Sequence, residues 1–189
     1  MAKVTGPLLS IDASGKIGDS IVFTRWRGTK VVRQYVIPAN PNTAAQQVQR
    51  NFMALAINSW VVDLAPNVQQ AWRDYMAGQP ISGCNESVSR YIAAKVAAKT
   101  CAVASAATIT PGVDQVTVAW TTLIAVKGRV LYGTKHRVYS AQAVEGAAVT
   151  NHSIVIGSLV TGVPYFLFIT TTSDETKYAD GGEYVATPT

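Results

Sequence analysis

The sequence predicts an α+β protein, with a short β-meander and about three helices in residues 1–101 and an all-β sandwich in residues 102–189. Three observations support this prediction. Apolar and polar side chains alternate between turns near the N-terminus, apolar side chains recur at helical spacing in residues 43–98, and short strand-like runs follow. The hydrophobic content of 48% over 189 residues is enough to bury a core.

The first strands lie between turns that contain glycine. LLSIDA, IVFTRWR and KVVRQYVIP consist of strand-forming residues, SGKIGDS is typical of a turn, and Gly28 with Thr29 separates the last two strands. Alternation places Phe23 and Arg25 on one face of the middle strand and Trp26 on the other. A meander of two or three strands needs packing against helices or another chain to be stable.

The segment PANPNT, residues 38–43, joins the meander to the first helix. Its two prolines end the strand pattern, and Asn42 or Thr43 is the predicted N-cap. From Thr43 to Leu64, apolar residues recur at spacings of three and four and form a broad stripe. The sequence therefore predicts a long amphipathic helix directly after the meander.

Two further helices follow. Pro66 is suited to the first position of the second helix, which ends at Gly78, and ESVSRYIAAKVAAK forms the third, in which alanine is a strong helix former. Trp60, Trp72 and Tyr75 lie at helical spacing. Aromatic residues in this pattern are predicted to belong to the core rather than to a ligand site.

The second half of the chain contains seven candidate strands separated by turns. They are ATITPG, VDQVTVAWTT, VKGRVLYGTK, HRVYSAQAV, TNHSIVIGSL, VPYFLFITTT and GGEYVATP. Seven is the number of strands in an immunoglobulin-like sandwich. Trp120 lies in an early strand where a core aromatic residue is expected, and Tyr165, in the run L-x-x-G-x-P-Y, is placed for a tyrosine corner. An immunoglobulin-like sandwich is therefore the predicted fold of residues 102–189.

The net charge of +5 is distributed unevenly. Residues 1–101 carry 11 of the 16 Lys and Arg and 5 of the 11 Asp and Glu, a net charge of +6, whereas residues 102–189 have a net charge of −1. A basic half can bind nucleic acid, a membrane surface or an acidic protein, and charge alone does not choose among them. Charged residues make up only 14% of the chain against about 25% in typical proteins, which favours assembly with other subunits.

Targeting and redox signals are weak. The N-terminus MAKVTGPLLSIDASG lacks the apolar core of a secretion signal, and no apolar run reaches the length of about 18 residues that spans a bilayer. We therefore expect the chain to stay in the cytosol unless a particle carries it out, with no membrane as partner. Cys84 and Cys101 stand outside any metal or redox motif and are predicted to be reduced, partly buried thiols.

The sequence offers no recognisable catalytic constellation. His136 and His152 are the two histidines, and neither has a nearby nucleophile or a local signature. Asp174, Glu175 and Asp180 flank a turn but lack the ordered spacing of a calcium loop, so a solvated turn is predicted. We therefore expect a protein that is not an enzyme and binds neither metal nor cofactor.

The segment WRGTKVVRQYVIPANPNTAAQQVQR combines basic and aromatic residues with a Pro/Asn-rich joint. Such residues suit phosphate contact with base stacking, but Arg and aromatic residues are also enriched at protein interfaces, and no nucleic-acid motif frames them. We favour protein docking. The candidate docking residues are Arg25, Trp26, Arg27, Lys30, Arg33, Tyr35, Asn40, Asn42 and Arg50.

Two regions of the chain resemble known groups of proteins. SGKIGDSIVFTRWRGTKVVRQYVIPANPNTAAQQVQRNF and SWVVDLAPNVQQAWRDYM resemble a widespread group of phage and prophage proteins over about residues 10–77. The element N-P-x-T-x-x-Q-x-x-x-R is the most specific part of that match. VTVAWTT, VLYGT and the L-x-x-G-x-P-Y run resemble a fibronectin type III domain, which tailed phages often append to virion proteins.

The resemblance implies a structural component of a tailed-phage virion, located in the virion after synthesis in the host cytoplasm. Head decoration or a minor capsid role is the first expectation, and a neck or tail accessory is the nearest alternative. The expected partners are capsid, neck or tail subunits, with multiple copies per particle. A nucleic-acid-binding packaging factor and a host-surface adhesin, for which Tyr139 and Tyr178 are candidate contacts, remain open.

Overall fold

The computed structural model describes residues 2–3, 15–26, 29–37, 39–40, 42–172 and 176–189, with the backbone alone for residues 2, 3, 26 and 29. The chain divides into two compact units, Met1–Thr43 and Ala44–Thr189. The sequence instead predicts a boundary near residue 101. The division differs because the helices pack on strands of the C-terminal half.

The first unit is a small antiparallel sheet. Its described strands are β1 (Ala2–Lys3), β2 (Gly15–Ile17), β3 (Ile21–Trp26) and β4 (Thr29–Gln34), in the spatial order β1-β4-β3-β2. The predicted strand LLSIDA lies outside the described residues. The segment SGKIGDS, predicted as a turn, contains β2, and the turn itself is confined to residues 18–20, where Gly18 has a φ of +56°.

The second unit begins with three helices among its described residues. They are α1 (Ala44–Asn58), α2 (Pro66–Tyr75) and α3 (Gly83–Val96), and a π-helical turn (Ser59–Asp63) continues α1. Pro66 occupies the first helical position as predicted. Ser82 caps α3, because its hydroxyl accepts the Asn85 N–H at 3.2 Å. None of the helices in the described residues is long and apolar enough to cross a membrane.

Nine further strands complete the described part of the second unit. They are β5 (Thr100–Cys101), β6 (Ala104–Gly112), β7 (Gln115–Val126), β8 (Gly128–Gly133), β9 (Ala141–Val144), β10 (Val149–Gly157), β11 (Tyr165–Thr171), β12 (Lys177–Tyr178) and β13 (Gly182–Ala186). One antiparallel sheet has the order β10-β7-β6 and another β13-β11-β8-β9, while β12 and β5 form a parallel pair. A strand overlaps each of the seven predicted segments, and the α+β class is confirmed.

The core follows the alternation of the strands. In β7, Val116, Val118 and Trp120 point inward, and in β11 Leu167 and Ile169 are fully buried. At the start of β11, the Tyr165 hydroxyl accepts the Val160 N–H at 3.2 Å.

The helices share this core. Trp72 of α2 is 1% exposed and packs edge-on against Phe168 of β11, with ring centroids 5.8 Å apart. The start of α2 is tied to β6, because the Ala65 N–H donates to the Ser105 carbonyl at 2.9 Å. The prediction that Trp72 and Tyr75 belong to a core is confirmed, while Trp60 is partly buried against its edge. Helices and strands therefore form one compact unit.

Arg90 of α3 fastens the helices to the strands. Its guanidinium donates to Glu86 at 2.7 Å, to the Tyr75 hydroxyl at 2.9 Å and to Asp180 at 3.3 Å. Asp180 is buried and also accepts the Thr170 hydroxyl at 2.5 Å, so its predicted place in a solvated turn is wrong. Burial raises the pKa of Asp180 above its ordinary value, although the nearby Arg90 charge acts in the opposite direction. Asp174 and Glu175 lie outside the described residues.

Candidate docking surfaces

One face of the first unit carries a basic pair that the sequence predicted as docking residues. Arg25 of β3 and Lys30 of β4 are directly opposite each other in the antiparallel ladder, next to Phe23 opposite Val32. Cross-strand neighbours share a face and their Cβ atoms lie about 5 Å apart, so two positive side chains meet there. The pair therefore places two positively charged residues side by side on this face.

The other face carries a second basic pair. Lys16 and Arg33 flank Val22 across the three strands β2, β3 and β4. They line a hollow of about 500 Å³ together with Tyr35, and the Lys16 ammonium lies 4.7 Å from the Tyr35 ring centroid. Lys16 is also ion-paired with Asp19 at 3.0 Å. The predicted basic residues are thus divided between the two faces of the sheet, because neighbouring side chains in a strand alternate.

The remaining predicted docking residues fall in different places. Arg27 lies outside the described residues, and Trp26 is described by its backbone, which pairs with Thr29. Asn40 and Asn42 are exposed in the joint, where Asn42 has a φ of +52°, a left-handed conformation that Asn tolerates. Arg50 is exposed on α1 and belongs to the second unit. The role of all nine residues in docking stays a prediction.

The second unit has an apolar surface along α1 and the π-helical turn. Ala56 is the one residue of α1 that is buried, whereas six large apolar side chains are 40–69% exposed. We call these six residues the α1 face: with about 3.6 residues per turn, Met53, Ile57 and Val61 form one stripe of it, and Val48, Leu55 and Val62 form a second stripe on the opposite side of the helix. A helix that is apolar over most of its circumference is normally buried on several sides. The α1 face is therefore a strong candidate for a contact with another chain.

The π-helical turn explains why the end of this helix is so exposed. The Leu64 N–H donates to the Ser59 carbonyl five residues earlier at 3.2 Å, which widens the last turn. The widening rotates Leu64 towards the core, where it is 4% exposed, and leaves Val61 and Val62 67% and 69% exposed. The turn therefore secures one core contact and presents two apolar side chains outward.

A groove continues the α1 face onto α3. Met53, Val88 and Ile92 supply its apolar lining, Asn85 and Ser89 its polar lining, and its volume is about 300 Å³. A groove between two helices with an apolar floor suits an inserted apolar side chain or helix.

Sequence reasoning found the apolar stripe of α1 but not its exposure. A broad stripe is the same pattern whether the chain covers it itself or another chain does. The sequence did contain one sign that the stripe is exposed, which is the charge of the segment around it. Five Lys or Arg occur between Asp19 and Asp63, but no Asp or Glu does. An ordinary solvated helix carries both positive and negative residues, and this segment does not have that mixed composition.

The two histidines form separate pairs with glutamates in the second unit. His136 Nδ1 contacts buried Glu183, whose other oxygen accepts the Arg137 N–H at 3.0 Å and the Tyr139 hydroxyl at 2.6 Å. Burial, together with the Glu183 hydrogen bond, raises the pKa of Tyr139 above its ordinary range. The pairing was not predicted, because 47 residues separate His136 from Glu183 and no local motif joins them.

The His136–Glu183 pair lies in a groove of about 510 Å³ between α2 and strands β6 and β13. Asn67, Gln70 and Asp74 of α2 also line it. A histidine oriented by a carboxylate can accept or donate a proton, but nucleophilic catalysis needs a third group within reach. The described lining residues include neither Ser nor Cys. The groove thus has the shape of a small binding site without the full set of groups for acyl transfer.

The second pair joins a buried histidine to a partly buried glutamate. His152 donates or accepts hydrogen bonds at both ring nitrogens, to Glu145 at 2.6 Å and to the Thr122 hydroxyl at 3.0 Å, and stacks on Trp120 at 4.5 Å. Gly128 completes the arrangement by donating its N–H to Glu145 at 3.0 Å. With its side chain buried and both nitrogens occupied, His152 holds β7, β8 and β10 together.

The cysteines and acidic residues are the remaining candidates for metal ligands. Cys84 and Cys101 are free and partly buried, and burial raises the pKa of both thiols. Within the described parts of the chain, no group of three His, Cys, Asp or Glu residues is placed to hold a metal ion.

No protein-family model matches the chain, and no curated protein matches it. Among the solved structures that match, one described as a myokine structure is 15% identical, with a TM-score of 0.38, over 48% of this chain and 99% of its own. Similarity at this level supports no inference about fold or function.

Proposed function

We propose that this chain is a non-enzymatic structural component of a tailed-phage virion that docks on other virion subunits. Head decoration or a minor capsid role is the proposed placement, with a neck or tail accessory as the alternative. The resemblance of residues 10–77 to phage and prophage proteins supports the origin. The surfaces of the two units support the docking role.

One observation carries the proposal. Residues 20–62 contain five Lys or Arg and no Asp or Glu, and the same stretch holds the exposed α1 face and the paired Arg25 and Lys30. Interface cores are depleted in acidic residues and Lys, and enriched in Arg, Met and aromatic residues. The exposed apolar side chains of α1 are of the kind that contact with another macromolecule would cover.

We further propose that the β-strands of the second unit form an immunoglobulin-like sandwich of the fibronectin type III kind. A three-stranded sheet, β10-β7-β6, and a four-stranded sheet, β13-β11-β8-β9, support this proposal. The hydrogen bond from the Val160 N–H to the Tyr165 hydroxyl also supports it, because a tyrosine at this corner bonds back to the backbone a few residues upstream. Such a module can project from the particle or bridge other virion subunits, and neither role needs an active site.

The protein is expected in purified virions of the phage that encodes it, at a fixed copy number, by quantitative mass spectrometry and cryo-electron microscopy. Arg25→Glu combined with Lys30→Glu is expected to lower incorporation of a tagged copy about tenfold, because reversing two interface charges costs a kcal/mol or more of binding. Lys135→Glu, at an exposed site of the second unit, is the matched control. Absence of the protein from mature particles would rule out the proposal.

A second candidate function is nucleic-acid binding during packaging, and the paired Arg25 and Lys30 favour it. It predicts affinity for duplex DNA whose logarithm falls with the logarithm of salt concentration, by about 0.9 per phosphate contacted. Arg25→Ala with Lys30→Ala should then reduce the slope by about 2. Fluorescence anisotropy over a salt series measures this. Binding that does not depend on salt excludes this function and leaves the docking role untouched.

A further inference from the structure

One face of α2 presents open hydrogen-bond acceptors to the groove of about 510 Å³ between α2 and strands β6 and β13. Asn67, Gln70 and Asp74 follow one another at spacings of three and four, so they share that face. Gln70 donates to Asp74 Oδ1 at 2.7 Å, and the Asn67 amide nitrogen donates to the Ala107 carbonyl at 2.5 Å. Asp74 Oδ2 and Asn67 Oδ1 have no donor among the described residues, so two acceptors remain open.

His136 supplies a third acceptor to the same groove. Glu183 contacts His136 Nδ1 through one oxygen and accepts the Arg137 N–H and the Tyr139 hydroxyl through the other. Because a carboxylate only accepts hydrogen bonds, Nδ1 carries the proton of the neutral ring, and Nε2 is left as an acceptor. No residue in the described part of the chain donates to Nε2.

The lining of the groove is negatively charged. Asp74 and Glu183 are acidic, and the described lining residues include neither Lys nor Arg. Arg73, the neighbour of Asp74 in α2, instead donates to Gln69 at 3.4 Å and to Gln70 at 3.5 Å. A groove with this charge and these open acceptors attracts a cation that carries N–H donors.

The rest of the lining is apolar and aromatic. Ala107, Ile109 and Val185 suit the methylene groups of a long side chain, and the Phe166 ring suits a planar cation. Tyr184 also lines the groove, and its hydroxyl is buried without a hydrogen-bond partner among the described residues. A hydroxyl oxygen can accept an N–H, so this group adds to the demand for donors.

We propose that this groove receives an arginine side chain of a partner subunit, with Asp74 as its principal anchor. A guanidinium has five N–H donors in one plane, so a single cation can reach more than one of the open acceptors, while its methylene stem packs on the apolar lining. Arginine is also enriched at protein interfaces. The inference rests on the proposed docking role and specifies the side chain that one of its contacts takes.

Binding of n-butylguanidinium to the full chain tests the chemistry of the groove. Amide shifts in two-dimensional NMR spectra are expected at Ala71, Ile109 and Val185, which line the groove, with a dissociation constant on the order of 1 mM. n-Butylurea has a similar shape without the charge and should bind about tenfold more weakly. n-Butylammonium keeps the charge without the planar fork and should also bind more weakly than n-butylguanidinium.

A matched pair of variants locates the bound cation. Asp74→Asn should weaken n-butylguanidinium binding about tenfold, because the amide keeps the shape of the carboxylate and removes its charge. Asp114→Asn, in the exposed turn between β6 and β7, is the control and should bind as the wild type does. Asparagine tolerates the φ of +52° at this position and can still accept the Thr161 hydroxyl. Circular dichroism confirms that both variants keep their helices and strands.

Incorporation of tagged copies into virions identifies the source of the cation. Asp74→Asn should lower incorporation about tenfold, whereas Asp114→Asn should be incorporated like the wild type. If n-butylguanidinium binds but Asp74→Asn is incorporated normally, the groove holds a free cation and the partner side chain is refuted.

Three further results would overturn the inference: no amide shifts in the groove with n-butylguanidinium, equal binding of n-butylurea, or tighter binding of n-butylammonium. Equal weakening by Asp74→Asn and Asp114→Asn would do the same. Absence of the protein from virions would instead refute the proposed function, while n-butylguanidinium binding that depends on Asp74 would still establish the chemistry of the groove. The two proposals therefore fail by different observations.

Discussion

Arg90→Met is expected to lower the free energy of unfolding by roughly 3 kcal/mol at neutral pH. The substitution keeps an unbranched apolar stem but removes the cation that donates to Asp180, Glu86 and Tyr75. Asp180 is 5% exposed, so its carboxylate would remain buried without its ion-pair partner. Urea unfolding monitored by tryptophan fluorescence measures the change.

The loss of unfolding free energy caused by Arg90→Met should increase as the pH rises. Burial raises the pKa of Asp180, and the Arg90 charge limits that rise. Removing Arg90 raises this pKa further, so the variant protein holds the Asp180 proton to a higher pH than the wild type does. Below the ordinary aspartate pKa the carboxyl is neutral in both proteins and the difference in stability is small. The difference in stability between the wild type and the variant then grows as the pH rises from the pKa of Asp180 in the wild type to its higher pKa in the variant.

A matched set of variants separates the charge from the packing of Arg90. Asp180→Asn combined with Arg90→Met should recover part of the lost stability, because no unpaired buried charge remains. Arg90→Lys keeps a positive charge but loses the forked geometry, and should fall between the wild type and the methionine variant. A loss of stability that is the same at about pH 4 and about pH 7 would contradict the role assigned to Asp180.

Trp72→Ala is expected to lower the free energy of unfolding by roughly 3–5 kcal/mol. Trp72 is 1% exposed and makes edge-on contacts with Tyr75 of α2 and Phe168 of β11, at 5.8 Å in each case. Removing it leaves a cavity at the junction between the helices and the strands. Calorimetry should show one cooperative transition for residues 44–189 that moves as a whole to lower temperature.

Two variants serve as controls for Trp72→Ala. Trp72→Phe keeps most of the ring volume and removes the indole N–H, which is buried without a hydrogen-bond partner among the described residues, so its cost should be well below that of alanine. Trp60→Ala removes a partly buried ring at the edge of the core and should cost less than Trp72→Ala. If Trp72→Ala shifted only a helical transition and left the strands unaffected, the helices and strands would not share a core.

Much of the fold can be predicted from patterns among neighbouring residues in the sequence. Proline at the start of α2, alternation in β7, and turn residues between the strands act within a few residues of one another, so the sequence alone predicts them. The same holds for the α+β class and for the burial of Trp72 and Trp120. The predicted docking role of Arg25, Lys30 and Arg33 stays a prediction, although their division between two faces follows from alternation.

What the sequence determined, then, is the order and type of the elements, because helix and strand periodicity are properties of neighbouring residues. The tertiary structure decided which surfaces were covered. It packed the helices on the C-terminal strands, paired His136 with Glu183, moved Asp180 from a solvated turn into a buried ion pair, and left the α1 face exposed. These outcomes depend on contacts between residues distant in the chain, and an apolar stripe looks the same in sequence whether its own chain or another chain covers it.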